Sequence, residues 1–313
     1  MDSLIKGKVE TLGTHRGLKE LVDRFLSSQD VKQSSLGTYK RGLKQFTTWI
    51  STHNIINPTR EDILSYKNYL INEKSLSALS VSGYLVVVRK FFEWTESIKL
   101  YPNIAKGIKG TKRERGFRKD CLTISQAKEL LGFIDNDSVK GKRDYALLNL
   151  LIRTGLRTIE VIRANIEDIR QNSGEAVLWI QGKGRDSKDE FVLLTDETLK
   201  PILSYLETRP DADTKEPLFT SLSNRNQSGR LTTISVSRIV KGHLKKIGLN
   251  SKKLTAHSLR HTSITFALMG GATIQEAQAL GRHASITTTM VYAHNINRVS
   301  HAPERKIDAL LAS

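Results

Sequence analysis

The chain has 313 residues, a length that is large for one domain and sufficient for two. Lysine and arginine number 49 against 32 aspartate and glutamate residues, and this net charge of +17 predicts attraction to a polyanion, with nucleic acid as the first candidate. The single cysteine, Cys121, excludes an internal disulfide and a cysteine-rich zinc site. No apolar run reaches the roughly 18 residues of a membrane span, and the N-terminus lacks a signal-peptide core, so we expect a cytoplasmic protein.

Apolar residues in the first hundred positions recur at three- and four-residue intervals, which is typical of amphipathic helices. The pattern predicts four helices, over residues 18–26, 36–50, 59–71 and 80–97. Thr59 and Asp62 have the spacing of a capping box at the start of the third helix. We therefore predict a compact helical domain over residues 18–105, preceded by an N-terminal extension of residues 1–17.

Residues 106–120 differ from this domain, because the apolar pattern lapses and basic residues crowd together with glycines. The basic residues are Lys106, Lys109, Lys112, Arg113, Arg115, Arg118 and Lys119. We predict a basic interdomain linker, which is either a solvated tether or an arm that follows DNA phosphates. The net charge of the whole chain favours the arm.

The second half combines helices with a short β-hairpin. Thr123 begins a capped helix, and an apolar helix centred on residues 145–151 ends at Gly155. Residues 176–180 and 190–194 have the pattern of two strands joined by a glycine-containing turn. The chain after Thr232 is helical again. We predict a second domain over residues 121–294 and a C-terminal tail over residues 295–313.

Five short segments of the second domain carry side chains suited to attack on a phosphodiester. They are residues 154–160 (Thr-Gly-Leu-Arg-Thr-Ile-Glu), Gly182-Lys183-Gly184, His257-Ser258-Leu259-Arg260-His261, Gly281-Arg282-His283 and Val291-Tyr292-Ala293-His294. Two guanidiniums can grip the nonbridging phosphate oxygens with paired, charge-assisted hydrogen bonds as negative charge builds up. A tyrosine, with a free pKa near 10, can attack phosphorus if it loses its proton or lies in a positive field.

In this order, the five segments resemble the tyrosine recombinases, also called phage-type integrases, and the resemblance runs from about Leu18 to His294. It implies a mainly α fold, with a helical core-binding domain at the N-terminus and a mixed α+β catalytic domain with a small antiparallel sheet. It also implies six catalytic residues: Arg157, Lys183, His257, Arg260, His283 and Tyr292.

The resemblance assigns a role to each catalytic residue. Tyr292 would be the nucleophile of a 3′-phosphotyrosine bond, and Lys183, at the end of the hairpin, the general acid for the leaving 5′-oxygen, with Lys188 and Arg185 as fallback candidates. The two arginines would grip the scissile phosphate. The histidine nine residues before the tyrosine would hydrogen-bond that phosphate, and the histidine at position 257 fits an acid/base role.

A recombinase of this kind would cleave and rejoin double-stranded DNA at a specific site, through a Holliday junction, to integrate, excise or resolve a mobile element or replicon. It would be a monomer in solution and a homotetramer on DNA, and its tail would dock on a neighbouring protomer or fold back on its own domain. No nucleotide or metal cofactor is expected, because the phosphotyrosine bond preserves the energy of the phosphodiester.

The alternatives are a noncatalytic DNA-binding regulator of recombinase descent and a type IB topoisomerase-like enzyme. A metal-dependent nuclease is disfavoured, because these motifs lack clustered acidic residues.

Some positions depart from the family pattern or have no separate chemical task. The family commonly has a leucine and a glycine directly before the second active-site histidine, whereas Arg282 precedes His283 here, and this predicts a change in how the histidine enters the site. His261 and His294 match common family positions and are predicted to form core or supporting hydrogen bonds. Glu160 would either orient Arg157 or hold a helix.

Overall fold

A computed structural model describes residues 15–111, 120–293 and 303–312. The chain divides into two compact units, Met1–Arg115 and Gly116–Ser313. Helices predominate in both, as the sequence predicted. In the part of the chain that the structure describes, no helix is long and apolar enough to cross a membrane.

The described part of the first unit is helical, and each of its four predicted helices is present. They are α1 (His15–Ser27), α2 (Gln33–Thr52), α3 (Arg60–Asn68) and α4 (Ala78–Ser97). The side chain of Asp62 accepts a 2.7 Å hydrogen bond from the backbone N–H of Thr59, which confirms the predicted start of α3. This helix continues into a π-helical turn, Tyr69–Glu73.

Aromatic side chains fill the core of the first unit. Phe46 packs edge-on against Tyr66 with ring centroids 5.0 Å apart, and it also contacts Phe92. Helices α2 and α4 approach closely at Gly42, where an added Cβ would lie 3.0 Å from Val87. Each fully buried aromatic side chain contributes about 1.5–3 kcal/mol through the apolar area that it removes from water. This unit therefore derives its stability from apolar burial.

Part of the predicted linker packs on the first unit. Arg60 donates a 2.6 Å hydrogen bond to the carbonyl of Lys106, Lys67 donates a 3.0 Å bond to the carbonyl of Lys109, and Ile108 is buried. The side chains of Lys106 and Lys109 are exposed. The other five predicted DNA-binding residues lie outside the described residues, so the basic linker stays a prediction there.

The second unit contains a small sheet of three antiparallel strands, in the order β1-β2-β3. The strands are β1 (Ile169–Asn172), β2 (Glu175–Ile180) and β3 (Glu190–Leu193). The sequence predicted only β2 and β3. Strand β1, with the sequence Ile-Arg-Gln-Asn, has too few apolar residues to show a strand pattern, and it forms because it pairs with β2 across a tight turn.

Helices form most of the rest of the second unit, together with a 3-10 helix, Ile166–Asp168. They are α5 (Ile124–Gly132), α6 (Val139–Thr154), α7 (Thr158–Arg163), α8 (Asp196–Leu206), α9 (Thr233–Lys246), α10 (Ala256–Met269), α11 (Ile274–Gly281), α12 (Ile286–Ala293) and α13 (Pro303–Leu311). Helix α6 is central, since it packs against α8 and α10 and buries residues around most of its circumference. Gly155 ends α6 in the left-handed conformation, with φ 60°, as predicted.

The sequence analysis did not predict α8, which contains Pro201. Proline has no backbone N–H, so the carbonyl of Glu197 loses its normal helical donor. The buried side chain of Asn149, on α6, donates a 2.6 Å hydrogen bond to that carbonyl instead. A tertiary contact thus replaces the missing bond inside the helix.

Candidate active site

Arg157 and Glu160 are fixed at the start of α7. Arg157 is the N-cap residue of this helix, and its backbone N–H donates a 2.7 Å hydrogen bond to Oε2 of Glu160. Its guanidinium pairs with Oε1 of the same carboxylate, also at 2.7 Å. Glu160 is fully buried, whereas the side chain of Arg157 keeps 26% of its surface exposed, so the carboxylate holds one side of a guanidinium that can still be reached from solvent. Glu160 therefore orients Arg157 as well as capping the helix.

Arg260 lies in α10 and is only 1% exposed. Its guanidinium donates a 2.6 Å hydrogen bond to the carbonyl of Gly155 and a second bond to the carbonyl of Gly281. Burial, followed by the charges of Arg157 and Arg282, lowers the pKa of Arg260 to about 10. Arg260 therefore still carries its positive charge at neutral pH.

Arg282 is a third guanidinium in this cluster. It is the C-cap residue of α11, in the left-handed conformation with φ 46°, where a residue other than glycine costs roughly 1 kcal/mol. Its side chain, 8% exposed, bonds to Oε2 of Glu160 at 3.0 Å and to the carbonyl of Gly155 at 3.1 Å. Its own carbonyl accepts a 3.3 Å hydrogen bond from Arg157. The departure from the family pattern thus places a buried cation beside the two predicted arginines.

His283 follows directly and is held by Thr289, a buried residue of α12. Nδ1 of the histidine and Oγ1 of the threonine share a hydrogen bond of 2.9 Å. Burial, then the charges of Arg260, Arg157 and Arg282, lower the pKa of His283 to about 4. The imidazole is therefore neutral near pH 7.

Tyr292 lies near the end of α12 and is 4% exposed. Its ring stacks on that of His283, with centroids 5.8 Å apart and an interplanar angle of 15°. His261 contacts the tyrosine with centroids 5.2 Å apart, and His257 meets His261 edge-on at 4.6 Å. Burial raises the pKa of Tyr292, whereas the charges of Arg260 and Arg157 oppose that rise. The phenol thus lies in a positive field.

Lys183 lies in the loop between β2 and β3, as predicted, and is exposed. The fallback candidates are engaged elsewhere. Arg185 pairs with Asp189 at 2.6 Å, and Lys188 forms a 2.5 Å ion pair with the buried carboxylate of Asp168. Within the described residues, Lys183 forms no hydrogen bond or ion pair, so it is the basic side chain of this loop with the greatest freedom to reach a substrate.

The structure brings four of the six predicted residues into one cluster and places the other two at its edges. Arg157 and Arg260 are linked through the bonds of Arg282 to Glu160 and to the carbonyl of Gly155. His283 and Tyr292 are joined by their ring stack, and the charges of both arginines act on both rings. His257 reaches the cluster through His261, whereas Lys183 lies on the hairpin, outside these contacts.

Sequence reasoning missed the roles of Thr289 and Arg282, and left that of Glu160 open. The only signal for Arg282 was its place where the family has glycine, and nothing in the sequence distinguishes Thr289 from the adjacent Thr287 and Thr288. His294 lies outside the described residues. Within residues 15–111, 120–293 and 303–312, no group of three or more His, Cys, Asp or Glu side chains is arranged to hold a metal ion.

Comparison with known proteins identifies the family. The model of the phage integrase family matches residues 120–298, and that of the phage integrase N-terminal SAM-like domain matches residues 18–101. Tyrosine recombinase XerC of Pelobacter propionicus is 32% identical over 272 residues, which cover 86% of this chain and 87% of that protein. Tyrosine recombinase XerC of Caldanaerobacter subterraneus is 30% identical over 240 residues, 74% of this chain and 64% of that protein.

Solved structures share the fold. The XerH site-specific recombinase, bound to a palindromic difH substrate in a post-cleavage complex, aligns with a TM-score of 0.71 and 21% identity over 93% of this chain and 84% of that chain. A lambda integrase dimer bound to a COC′ core site aligns with a TM-score of 0.68 and 19% identity, over 88% of this chain and 76% of that chain. The chain belongs to the phage integrase family, and it is a site-specific tyrosine recombinase.

Proposed function

We propose that this protein cleaves and rejoins DNA strands through a 3′-phosphotyrosine bond formed by Tyr292. The observation that carries the proposal is the position of Tyr292, stacked on His283 within the field of Arg260 and Arg157. The phenolic oxygen attacks phosphorus, the bond from phosphorus to the 5′-oxygen breaks, and the 5′-strand leaves as a hydroxyl. The energy of the phosphodiester is kept in the new bond, so the reverse attack by another 5′-hydroxyl reseals DNA without a nucleotide.

Arg157 and Arg260 bind the two nonbridging oxygens of the scissile phosphate in this mechanism. Glu160 and the carbonyls of Gly155 and Gly281 hold the guanidiniums before substrate arrives. Preorganised donors of this kind stabilise the extra charge of the pentacoordinate transition state without reorganising at the moment of reaction.

His283 donates a hydrogen bond to the same phosphate. If the hydroxyl of Thr289 donates to Nδ1, the neutral ring carries its proton on Nε2. A neutral donor adds no further charge beside three arginines, in keeping with the lowered pKa of this histidine.

Proton transfer uses the two residues at the edges of the cluster. His257 takes up the phenolic proton of Tyr292, with His261 between the two rings. Lys183 gives a proton to the 5′-oxygen as it leaves. The exposed hairpin position of the lysine allows it to approach the bound strand.

The proposed partner is double-stranded DNA with a specific recombination site. The net charge of +17 supports this, and the XerH and lambda integrase structures are of DNA complexes. We propose a core-binding domain over residues 18–105, a basic linker over 106–120, a catalytic domain over 121–294 and a homotetramer on DNA that acts through a Holliday junction in the cytoplasm.

Helix α13, with exposed Ile307, Leu310 and Leu311, would dock on a neighbouring protomer. Deletion of residues 301–313 should then impair assembly on paired sites, and normal assembly would contradict this docking.

The test is a nicked duplex that traps the covalent intermediate, carrying a site selected from random sequences by binding to the protein. Wild type and the control Tyr145→Phe should give a protein-linked DNA band on a denaturing gel, whereas Tyr292→Phe should give none. Absence of the band from wild type on a tightly bound site would contradict the proposal and indicate a DNA-binding regulator. Relaxation of supercoiled DNA that lacks the site would indicate a type IB topoisomerase-like activity.

A further inference from the structure

Residue 282 has a backbone conformation that favours glycine, but the residue at this position is arginine. The residue ends α11 with φ 46° and ψ 49°, in the left-handed region. The neighbouring Gly281 is still helical and does not have a positive φ. An arginine at the unfavourable position requires compensation from contacts of its side chain.

Those contacts are internal to the second unit. The guanidinium of Arg282 donates a 2.9 Å hydrogen bond to the carbonyl of Leu280, one to the carbonyl of Gly155, and one to Glu160. A guanidinium can reach three acceptors in different directions, whereas the ammonium of lysine is a compact point charge. The backbone penalty is therefore offset by a set of bonds specific to arginine.

Two of the three acceptors of Arg282, Glu160 and the carbonyl of Gly155, also hold one of the two arginines that bind phosphate in the proposed mechanism. Glu160 uses Oε1 for Arg157 and Oε2 for Arg282, and the carbonyl of Gly155 accepts from both Arg260 and Arg282. The carbonyl of Arg282 accepts from the second terminal nitrogen of Arg157. Arg157 is thus fixed at both ends of its guanidinium.

We infer that Arg282 is a positioning residue for strand cleavage, which acts through Glu160 and the carbonyl of Gly155 to hold Arg157 and Arg260 in the geometry that grips the scissile phosphate. This inference rests on the proposed function, because it concerns the same reaction. In this role Arg282 acts through its neighbours rather than through a bond of its own to the phosphate. It contributes by holding the guanidiniums of Arg157 and Arg260 in place, so that they need no rearrangement when DNA binds.

The variant Arg282→Gly tests the inference, because glycine is the residue that the backbone prefers at this position. A purely structural role as a helix cap predicts that it folds and cleaves as well as wild type. We expect instead a single-turnover rate of covalent-complex formation on saturating nicked substrate that is roughly 10- to 100-fold lower. DNA affinity should change by less than about threefold, since the displacement affects the transition state more than the bound ground state.

Three further measurements distinguish positioning from loss of fold. Arg282→Lys, which keeps a positive charge, should recover only part of the rate. Guanidinium chloride at millimolar concentration, compared with sodium chloride at equal ionic strength, should partly rescue Arg282→Gly, because Arg282 lines an open cleft next to Gln278 and His283. The pH profile of cleavage should shift upward on its acidic side, since removal of a nearby cation raises the pKa of His283.

Ser173→Gly is the matched control. Ser173 also has a positive φ, 53°, but it lies exposed in the turn between β1 and β2. This control should keep the wild-type rate.

Wild-type cleavage by Arg282→Gly would overturn the inference. A second result would also overturn it. In that result guanidinium does not rescue the rate, and in both Arg282→Gly and Arg282→Lys the rate falls in proportion to the loss of folded protein. Failure of the proposed function is recognised separately, because wild type itself would then form no covalent complex.

Discussion

The two units bury different kinds of side chain. Among the described residues of the first unit, Thr95 is the sole buried polar side chain apart from aromatic ones such as Tyr66 and Tyr101, and its hydroxyl donates a hydrogen bond to a carbonyl of its own helix. The second unit buries many polar groups, among them the charged or histidine side chains of Arg143, Asp144, Glu160, Asp168, His243 and Arg260. Removal of such groups from water costs several kcal/mol each unless partners are in place. The first unit is an apolar scaffold, whereas the second accepts a desolvation cost where the proposed chemistry takes place.

Some of the buried charged side chains in the second unit pair only with one another, outside the proposed active site. Asp144 accepts two hydrogen bonds from Arg143, the shorter of 2.6 Å, and a third, of 2.9 Å, from His243 on α9. Burial alone would raise the pKa of Asp144, but the hydrogen bond from His243 and the charge of Arg143 hold it below its usual range. This network is self-neutralising. The cluster around Glu160 instead has three arginines against one carboxylate, and in the proposed mechanism its excess positive charge binds the scissile phosphate.

The largest expected effect is a loss of stability in the first unit, caused by the substitution Phe46→Ala, and it tests whether the two units have separate cores. Loss of a buried phenylalanine from a packed core should lower the free energy of unfolding by about 3–5 kcal/mol. Hydrogen exchange in the full-length protein should then rise in peptides from residues 15–111 and remain as in wild type in peptides from residues 120–293. Equal loss of protection in both units would contradict the separation of their cores. Leu64→Ala, an exposed position of the same unit, is the control.

A smaller effect, on rate rather than stability, is expected from Thr289→Val in the second unit. Valine keeps the shape of threonine but removes the hydrogen bond to His283. Covalent-complex formation should fall roughly tenfold, which corresponds to one hydrogen bond of about 1.4 kcal/mol, while stability changes by less than about 1 kcal/mol.

The adjacent, exposed Thr288 provides a matched control for this variant. Thr288→Val should cleave like wild type, and Thr289→Ser, which keeps the hydroxyl, should recover most of the rate. Nitrogen chemical shifts of His283 report its tautomer directly. An unchanged tautomer together with an unchanged rate in Thr289→Val would remove the proposed role of this threonine.

The smallest effect expected is a loss of stability of the second unit at acidic pH, caused by protonation of His283. The folded-state pKa of His283 is about 4, against about 6.5 in an unfolded chain, so protonation favours the unfolded state. The contribution of His283 to stability is complete above pH 6.5 and is lost progressively as the pH falls toward 4. Between pH 7.5 and pH 5 it should amount to on the order of 1 kcal/mol, after allowance for solvent screening.

His283→Gln should remove this part of the pH dependence, as measured by urea unfolding monitored with hydrogen exchange of residues 120–293. Exchange in residues 15–111 serves as the internal reference. An equal acid sensitivity in the variant would mean that other groups of the second unit, such as Asp144, account for the loss.

Local signals explain why so much of the fold could be predicted. Gly155 ends a helix because a left-handed residue follows the last turn, and Thr59 and Thr123 begin helices through bonds to Asp62 and Gln126. Such signals operate within four residues and are readable from the sequence. Strand β1 and helix α8 were missed because each depends on a contact outside its own segment, namely the pairing of β1 with β2 and the hydrogen bond from the side chain of Asn149 to α8.

The candidate site divides in the same way. The sequence by itself determined that Arg157, Lys183, His257, Arg260, His283 and Tyr292 are the residues to consider, because their types and order match a family motif. Only the tertiary structure decided that Arg282 shares Glu160 with Arg157, that Thr289 rather than its neighbours holds His283, and that His261 lies against Tyr292. These contacts depend on the packing of α10 against α6, α11 and α12, which brings together residues more than a hundred positions apart, such as Gly155 and Arg260. Burial and charge at such a junction are properties of the assembled core, and no local pattern in the chain encodes them.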